Sequence, residues 1–122
     1  MSKQILIVDD NPWNAQLVAD VLVHRDYDVV TAQRGDLALE MVANGLPDLV
    51  LLDIMLPDMN GLDIARTLRI SADKERLPIV AVTALGNLNV RNECIEAGCD
   101  EVIIKPVTNR EIVKCVSRYL ET

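Results

Sequence analysis

Acidic, hydroxyl and lysine side chains end four short apolar runs in this 122-residue sequence: Asp9 with Asp10, Asp53, Thr83, and Lys105. Three carboxylates brought together repel one another and raise one another's pKa values, a conflict that a divalent cation removes. An incomplete set of hard oxygen ligands suits Mg²⁺, which keeps several waters and binds phosphate oxygens. A lysine ammonium can hold a phosphate or a carboxylate, and a threonine hydroxyl can donate to a phosphoryl oxygen. These residue types therefore predict Mg²⁺-dependent phosphate chemistry, provided that the fold brings them together.

The apolar runs have the length of buried strands, and helical patterns separate them. Strands are predicted at residues 4–8, 27–32, 48–53, 79–83 and 101–104, and helices at about residues 13–25, 36–44, 62–70, 88–97 and 109–120. The four apolar residues in a row before Asp53 are typical of a strand covered on both faces, as in a parallel sheet. Asn11 is expected to cap the first helix, with Pro12 in its first turn.

The helices read as amphipathic, with apolar positions at helical spacing. The side chains predicted to face inward are Leu17, Val18, Val21 and Leu22 in the first helix, Leu37, Ala38, Met41 and Val42 in the second, Leu62, Ala65 and Leu68 in the third, and Ile112, Val113, Val116 and Leu120 in the last.

Strand and helix alternate five times, which predicts an α/β fold. The expected architecture is a doubly wound, five-stranded parallel sheet with strand order 2-1-3-4-5, a flavodoxin-like three-layer sandwich. The carboxyl ends of parallel strands lie at one edge, so the polar residues named above should converge in the crevice where the strand order reverses. Each of them alone is typical of a turn or a helix cap. No structural role requires three acids and a lysine in one crevice.

Composition narrows the class of protein further. The length and a hydrophobic content of 50% predict one domain over residues 1–122, with no effector domain. The net charge of −7, without a basic cluster, argues against direct nucleic-acid binding. Cys94, Cys99 and Cys115 form no C-x-x-C pair and are expected to be packing residues in a reducing compartment. Neither a signal peptide nor a membrane span is recognisable, which predicts a cytoplasmic protein.

Four motifs together resemble those of the response-regulator receiver domain of two-component and phosphorelay signalling. They are Val8-Asp9-Asp10-Asn11, the run Leu-Asp-Ile-Met-Leu-Pro-Asp-Met-Asn-Gly at 52–61, Val82-Thr83-Ala84, and Lys105-Pro106. They occur in the family's order and at its spacing over essentially the whole chain. The resemblance implies a single-domain receiver that takes a phosphoryl group from a histidine kinase or a histidine phosphotransfer protein. Such a protein is not an enzyme, except toward its own phosphotransfer and dephosphorylation.

The resemblance also implies the metal and phosphorylation sites. Asp53 corresponds to the phosphoacceptor, which also contacts Mg²⁺. Asp10 corresponds to the direct Mg²⁺ ligand, Asp9 to the one that often acts through water, and the backbone carbonyl of Met55 to the remaining protein ligand.

The same resemblance implies a phosphoryl-binding and switching group. Thr83, with Ala84 beside it, corresponds to the hydroxyl that moves toward the phosphoryl group, and Lys105 to the lysine that pairs with it. The peptide bond between Lys105 and Pro106 is typically cis in the family.

One position departs from the family pattern. Three residues before the lysine the family usually carries Tyr or Phe, whose rotamer is coupled to the threonine, and here Val102 stands there. The usual coupling between an aromatic rotamer and the threonine is therefore not available. The movement of the output surface is expected to be smaller or to be transmitted by other residues.

The family's usual output surface is formed by the fourth helix, the fifth strand and the fifth helix. A downstream protein target is expected there, with the chain a monomer or a weak dimer. The polar residues of this surface are Asn87, Asn89, Arg91, Asn92, Arg110, Lys114 and Arg118.

Three alternatives remain open. A degenerate receiver would act as a phosphate-independent binding module. Val102 is compatible with this alternative, whereas the intact acids argue against it. A dehalogenase-type Mg²⁺-dependent phosphatase would carry a second Asp two residues after its nucleophile, where Met55 stands. A flavodoxin-like cofactor carrier would need a Ser/Thr/Gly-rich phosphate loop, whereas Asp9 and Asp10 would repel a phosphate.

Other polar residues are given structural roles. His24 is predicted to be a solvated residue near a helix end, and Trp13 to cover the site from the surface. Asp58 and Asn60 are expected to shape their loop rather than to bind metal. Residues 69–76 are expected to form a charged, solvated connection.

Overall fold

The computed structural model describes residues 2–56, 58–72, 77–84 and 86–121. Its elements in chain order are β1 (Gln4–Val8), α1 (Pro12–Val23), β2 (Asp28–Ala32), α2 (Gly35–Asn44), β3 (Leu49–Asp53), α3 (Gly61–Ser71), β4 (Ile79–Thr83), α4 (Leu88–Glu96), β5 (Glu101–Ile104) and α5 (Asn109–Leu120). All strand pairs are parallel and the order is β2-β1-β3-β4-β5. The predicted fold class and strand order are confirmed.

The strands form because their apolar residues are covered on both faces. All five residues of β3 are buried, from Leu49 to Asp53. The buried residues divide into two hydrophobic clusters, one containing Leu6, Val50 and Leu52 and the other containing Ile5, Ile7 and Leu51. Because side chains alternate along a strand, neighbouring residues of one strand belong to opposite cores. The sheet is thus the middle layer of a three-layer sandwich.

Where the predicted and observed ends of an element differ, they differ by one or two residues. The first helix begins at Pro12, with the Asn11 side chain accepting hydrogen bonds from the amides of Trp13 and Asn14, as predicted. It ends at Val23 rather than at residue 25, because His24 is already the C-cap. His24 is exposed there, in agreement with its predicted role.

Two predicted core residues are wrong. Leu17 of α1 is 63% exposed and Leu37 of α2 is 36% exposed. The first helix instead buries Ala15, Ala19 and Leu22. Ala15 and Ala19 lie on the buried side of this helix, and Leu17 is turned outward.

The segment predicted to begin a solvated connection at residue 69 is partly wrong. Arg69 lies in the last turn of α3, and only 17% of its side chain is exposed. Its guanidinium donates to the carbonyls of Gly98, Ala72 and Leu77 and to the carboxylate of Asp100. Residues 73–76 lie outside the described part of the chain.

Cys94, Cys99 and Cys115 are buried and form no disulfide, in agreement with their predicted packing role. Burial raises the pKa of the Cys115 thiol to about 12, so this sulfur is a packing group at neutral pH. Within the described ranges, no helix has the length and apolar character that crossing a bilayer requires.

Candidate functional site

The register of the central strands brings the predicted site residues to one edge of the sheet. Val8 pairs with Leu52 and Asp53 with Val82, so the carboxyl ends of β1, β3 and β4 lie side by side. Thr83 pairs with Ile104, which puts Lys105 at the same edge. This is the crevice at which the strand order reverses, the usual ligand position in such sheets.

Three carboxylates meet in this crevice. One oxygen from each of Asp9, Asp10 and Asp53 lies within 4.8 Å of the others. Asp9 and Asp53 are buried, at 8% and 7% exposure, whereas Asp10 is exposed. Burial raises the pKa of the Asp9 carboxyl, and the charges of Asp53 and Asp10 add to the effect, while a hydrogen bond from the Asn11 amide and the Lys105 charge lower it. A cation bound here would relieve both the repulsion and the desolvation.

The two oxygens of Asp53 have different partners. Oδ2 accepts from the Lys105 ammonium at 3.2 Å, and Oδ1 accepts from the Met55 amide at 2.9 Å. Lys105 is itself fixed by its backbone, because its amide donates to the Thr83 carbonyl at 2.8 Å. The Lys105–Pro106 peptide bond is cis. The carboxylate is therefore held in one orientation at the mouth of the crevice.

Thr83, which carries the predicted switch hydroxyl, ends β4, and Val102, the residue that departs from the family pattern, lies on β5. Thr83 is fully buried and Ala84, next in the chain, is exposed. Val102 is 7% exposed and belongs to the hydrophobic core that contains Leu52 and Ala81. An aliphatic core residue thus occupies the position where an aromatic ring was expected from the family pattern.

The loop between β3 and α3 closes on itself beside the carboxylates. Met55 and Asn60 form an antiparallel bridge, and the Gly61 amide donates to the Ile54 carbonyl at 3.0 Å. A Cβ at Gly61 would lie 2.5 Å from Cα of Ile54, so only glycine permits this approach. The Asn60 side chain caps α3 through the Leu62 amide, and Asp58 caps α2. The predicted loop-shaping roles of Asp58 and Asn60 are confirmed.

A groove of about 520 Å³ leads from the carboxylates between α1 and α5. Asp9, Asp53 and Lys105 line its polar end, and Leu17 and Ile112 contribute to its apolar wall. Trp13 does not line it and is 79% exposed, so the expectation that this ring covers the site is wrong.

The donor set fits Mg²⁺. Three carboxylates within reach of one another, two of them buried, supply the hard oxygen ligands that this ion prefers, and a partly exposed site leaves room for its waters. The Met55 carbonyl belongs to the loop that follows Asp53 and is a backbone candidate for a further ligand.

Comparison with known proteins identifies the family. Residues 5–117 match the response regulator receiver domain, so the chain belongs to this family. Over 120 residues, 98% of each chain, it is 30% identical to the polar-differentiation response regulator DivK of Brucella ovis. Over 107 residues it is 38% identical to the response regulator PleD of Caulobacter vibrioides, a match that covers 88% of this chain and 24% of PleD. The chain thus spans about a quarter of PleD.

Solved structures agree with this assignment. A CheY-like receiver domain from Methanospirillum hungatei has a TM-score of 0.91 and 28% identity, covering 97% of this chain and 93% of that one. The BeF3-activated receiver domain of Klebsiella pneumoniae RstA has a TM-score of 0.89 and 35% identity, covering 98% and 100%. Receiver domains are signalling modules of two-component systems rather than classical enzymes. Their phosphodonors are histidine kinases or phosphotransfer proteins, and they bind Mg²⁺ at an Asp cluster.

Sequence reasoning found the residues at the strand ends but missed two supporting ones. It did not foresee that Asp58 caps a helix distant in the chain, nor that Arg69 ties three segments together. From the sequence, Asp58 indicated only a turn, because its hydrogen-bond partners are more than twenty residues away in the chain.

Proposed function

We propose that this chain is a phosphoacceptor receiver that takes a phosphoryl group onto Asp53 with Mg²⁺ and signals through contacts with another protein. The observation that carries the proposal is the carboxylate cluster together with the lysine on Asp53. Asp9, Asp10 and Asp53 can share one cation, and Lys105 already faces the Asp53 oxygen at 3.2 Å.

The proposed reaction is a displacement at phosphorus. An oxygen of Asp53 forms the new O–P bond while the N–P bond of a phosphohistidine breaks, and the imidazole leaves with its electron pair. Phosphoryl transfer is catalysed mainly by positioning and by neutralising charge on the equatorial oxygens. The Met55 amide orients the nucleophile, and the Lys105 ammonium lies where it can follow the transferred oxygens. Bound Mg²⁺ would supply further charge neutralisation.

In this proposal Asp10 binds Mg²⁺ directly, Asp9 does so through water, and the Met55 carbonyl completes the protein ligands. Thr83 is the hydroxyl that follows the phosphoryl group, with the Ala84 amide beside it. Because Val102 is a buried aliphatic residue, the movement of Thr83 is passed on by packing in the core rather than by an aromatic rotamer.

The proposed output surface comprises α4, β5 and α5. The seven polar residues predicted for it are all exposed. Among its described residues α4 buries only Cys94, so few buried contacts fix this helix to the core. We further propose that the chain works as a single domain, as a monomer or a weak dimer, in the cytoplasm. The match to DivK along 98% of both chains supports the first point, and three buried cysteines that form no disulfide support the last.

The decisive test is phosphorylation by a small donor. Wild-type protein incubated with acetyl phosphate and Mg²⁺ is expected to gain a single phosphoryl adduct by intact mass, and Asp53→Asn is expected to gain none. Asp63→Asn, which alters an exposed acid of α3 in the same way, should behave as wild type.

Two other outcomes would argue against the proposal. An adduct that persists in Asp53→Asn would assign the acceptor to another residue. The absence of an adduct from both acetyl phosphate and a histidine kinase would favour a phosphate-independent binding module.

A further inference from the structure

The N-terminus of α2 is capped by a residue from another part of the chain. Its own N-cap residue, Arg34, has an extended backbone, and within the described residues its side chain makes no capping hydrogen bond. Asp58, on the β3–α3 loop, caps it instead. Its Oδ1 accepts from the Gly35 amide at 3.0 Å and its Oδ2 accepts from the Asp36 amide at 3.2 Å. One carboxylate thus satisfies two of the free amides at the helix start.

Packing reinforces this connection. A Cβ on Gly35 would lie 2.6 Å from Cδ1 of Ile64 and 3.0 Å from Sδ of Met59. The absence of a side chain at Gly35 therefore lets the loop residue next to Asp58 lie directly against the start of α2. The loop and the helix are joined by both hydrogen bonds and contact.

The same loop carries a backbone group that contacts the carboxylates. Met55 donates its amide to Asp53 Oδ1 at 2.9 Å, and its bridge to Asn60 closes the loop. Asp58 lies between these two residues in the chain. Met55 is thus held by its bridge to Asn60, and Asp58 by its hydrogen bonds to α2.

We infer that Asp58 is a positioning residue for the cation site, acting through the β3–α3 loop on the Met55 carbonyl and on the Asp53 carboxylate. The inference rests on the proposed function, in which that carbonyl is a ligand of Mg²⁺. Asp58 is not one of the three clustered carboxylates, and both of its oxygens accept hydrogen bonds from α2.

The test is Mg²⁺ binding by the intact chain, measured by titration calorimetry without a phosphodonor. Outer residues that orient metal ligands change affinity by about 10-fold or more when removed, so Asp58→Ala is expected to weaken Mg²⁺ binding about 10-fold. Asp63→Ala removes an equal charge from an exposed acid and is expected to leave the affinity within about twofold of wild type.

A double variant separates positioning from helix stability. Arg34→Ser places a good N-cap residue at the extended Arg34 backbone, and in combination with Asp58→Ala it restores the net charge of wild type. The helix cap then returns without the tether to the loop. We expect the melting temperature to recover toward that of wild type while Mg²⁺ affinity stays about 10-fold weaker.

Two results would overturn the inference: Mg²⁺ affinity in Asp58→Ala equal to that of Asp63→Ala, or affinity that recovers with stability in the double variant. Wild-type protein that binds no Mg²⁺ and gains no adduct from acetyl phosphate would overturn both proposals. If wild-type protein binds Mg²⁺ and gains the adduct, and Asp58→Ala binds Mg²⁺ as tightly as wild type, this inference alone is overturned.

Discussion

Asp53 is buried yet carries a charge, and its two oxygens show how one residue tolerates this. One oxygen accepts from a backbone amide and the other from an ammonium, so each lone-pair direction toward the protein is used. The Lys105 side chain is 29% exposed and the Asp53 side chain 8%. Their ion pair is therefore stronger than a surface pair and less costly than a fully buried one. Among the described residues, Lys105 is the cation that forms an ion pair with the carboxylate cluster.

Replacing Lys105 with Ala is therefore expected to lower the free energy of unfolding by about 1–3 kcal/mol when Mg²⁺ is chelated, because it leaves a buried carboxylate without its partner. Added Mg²⁺ should stabilise the variant more than it stabilises wild type, since the cation takes over the lost charge. Urea unfolding with chelator and with Mg²⁺ measures both effects.

Lys114→Ala is the matched control, because Lys114 is exposed on α5 and has no described ion pair. It should change stability by less than about 0.5 kcal/mol in either condition. A Lys105→Ala protein as stable as wild type in chelator would mean that the ion pair contributes nothing net.

At the scale of elements, α3 carries two arginines in very different surroundings. Arg66 pairs with Asp63 on the surface, with 55% and 61% of their side chains exposed. Arg69, one turn later, is largely buried and holds the end of α3 to the start of β4 and to the turn between α4 and β5. Gly98, at that turn, has φ +111 and lies against the Arg69 side chain. A planar guanidinium has five N–H donors in a fixed fork and can serve more acceptors at once than the three donors of a lysine ammonium.

Arg69→Ala is expected to destabilise the protein by about 3 kcal/mol, since it leaves the Asp100 carboxylate without its cation and three carbonyls without the donors of the guanidinium. Arg69→Lys should recover only part of the loss. Arg66→Ala, on the same helix, should cost less than about 0.5 kcal/mol. Denaturant midpoints of the three variants compare them directly, and equal midpoints for Arg69→Ala and Arg66→Ala would contradict the role assigned to Arg69.

The elements also show where pattern reading succeeds and where it fails. Strands such as β3 were predictable because four apolar residues before an acid have few other uses. The inward face of α1 was predicted only in part: Leu22 is buried as expected, but Leu17 was taken as buried, whereas the smaller Ala15 and Ala19 lie inside. Helical spacing gives the period of a face, but close packing decides which face is inside.

For the whole molecule, acid stability can be derived from two carboxylates. Backbone hydrogen bonds from α2, first of all from Gly35, lower the pKa of Asp58, and hydrogen bonds from Tyr27 and Ser117 lower the pKa of Glu121. Both are lower in the folded state than in the unfolded chain. Their stabilisation is therefore present above the unfolded pKa values and is lost as the pH falls through the folded ones.

The double variant Asp58→Asn with Glu121→Gln is accordingly expected to be less stable than wild type at pH 7 and to lose less stability on acidification below about pH 5. Thermal melts from pH 7 to pH 3 measure how the melting temperature of each protein changes with pH. Parallel profiles would show that neither carboxylate contributes to acid unfolding.

The sequence was sufficient for the strand order and for gathering Asp9, Asp10, Asp53 and Lys105 at one edge, because parallel topology alone puts strand ends together. It was not sufficient for Asp58, whose partners on α2 precede it by more than twenty residues. Contacts between distant loops and helix ends depend on side-chain directions that no local pattern encodes.

The division of the interior into two cores has a consequence for how such a chain can diverge. Ile103 packs with α1 and α5, while its neighbour Val102 packs on the opposite side of the sheet with residues of α3 and α4. Substitutions can therefore accumulate in one core and reshape the helices of that face, while the other core keeps its packing. A lineage can in this way acquire a new binding surface on α4 and preserve the strand ends that carry the acids.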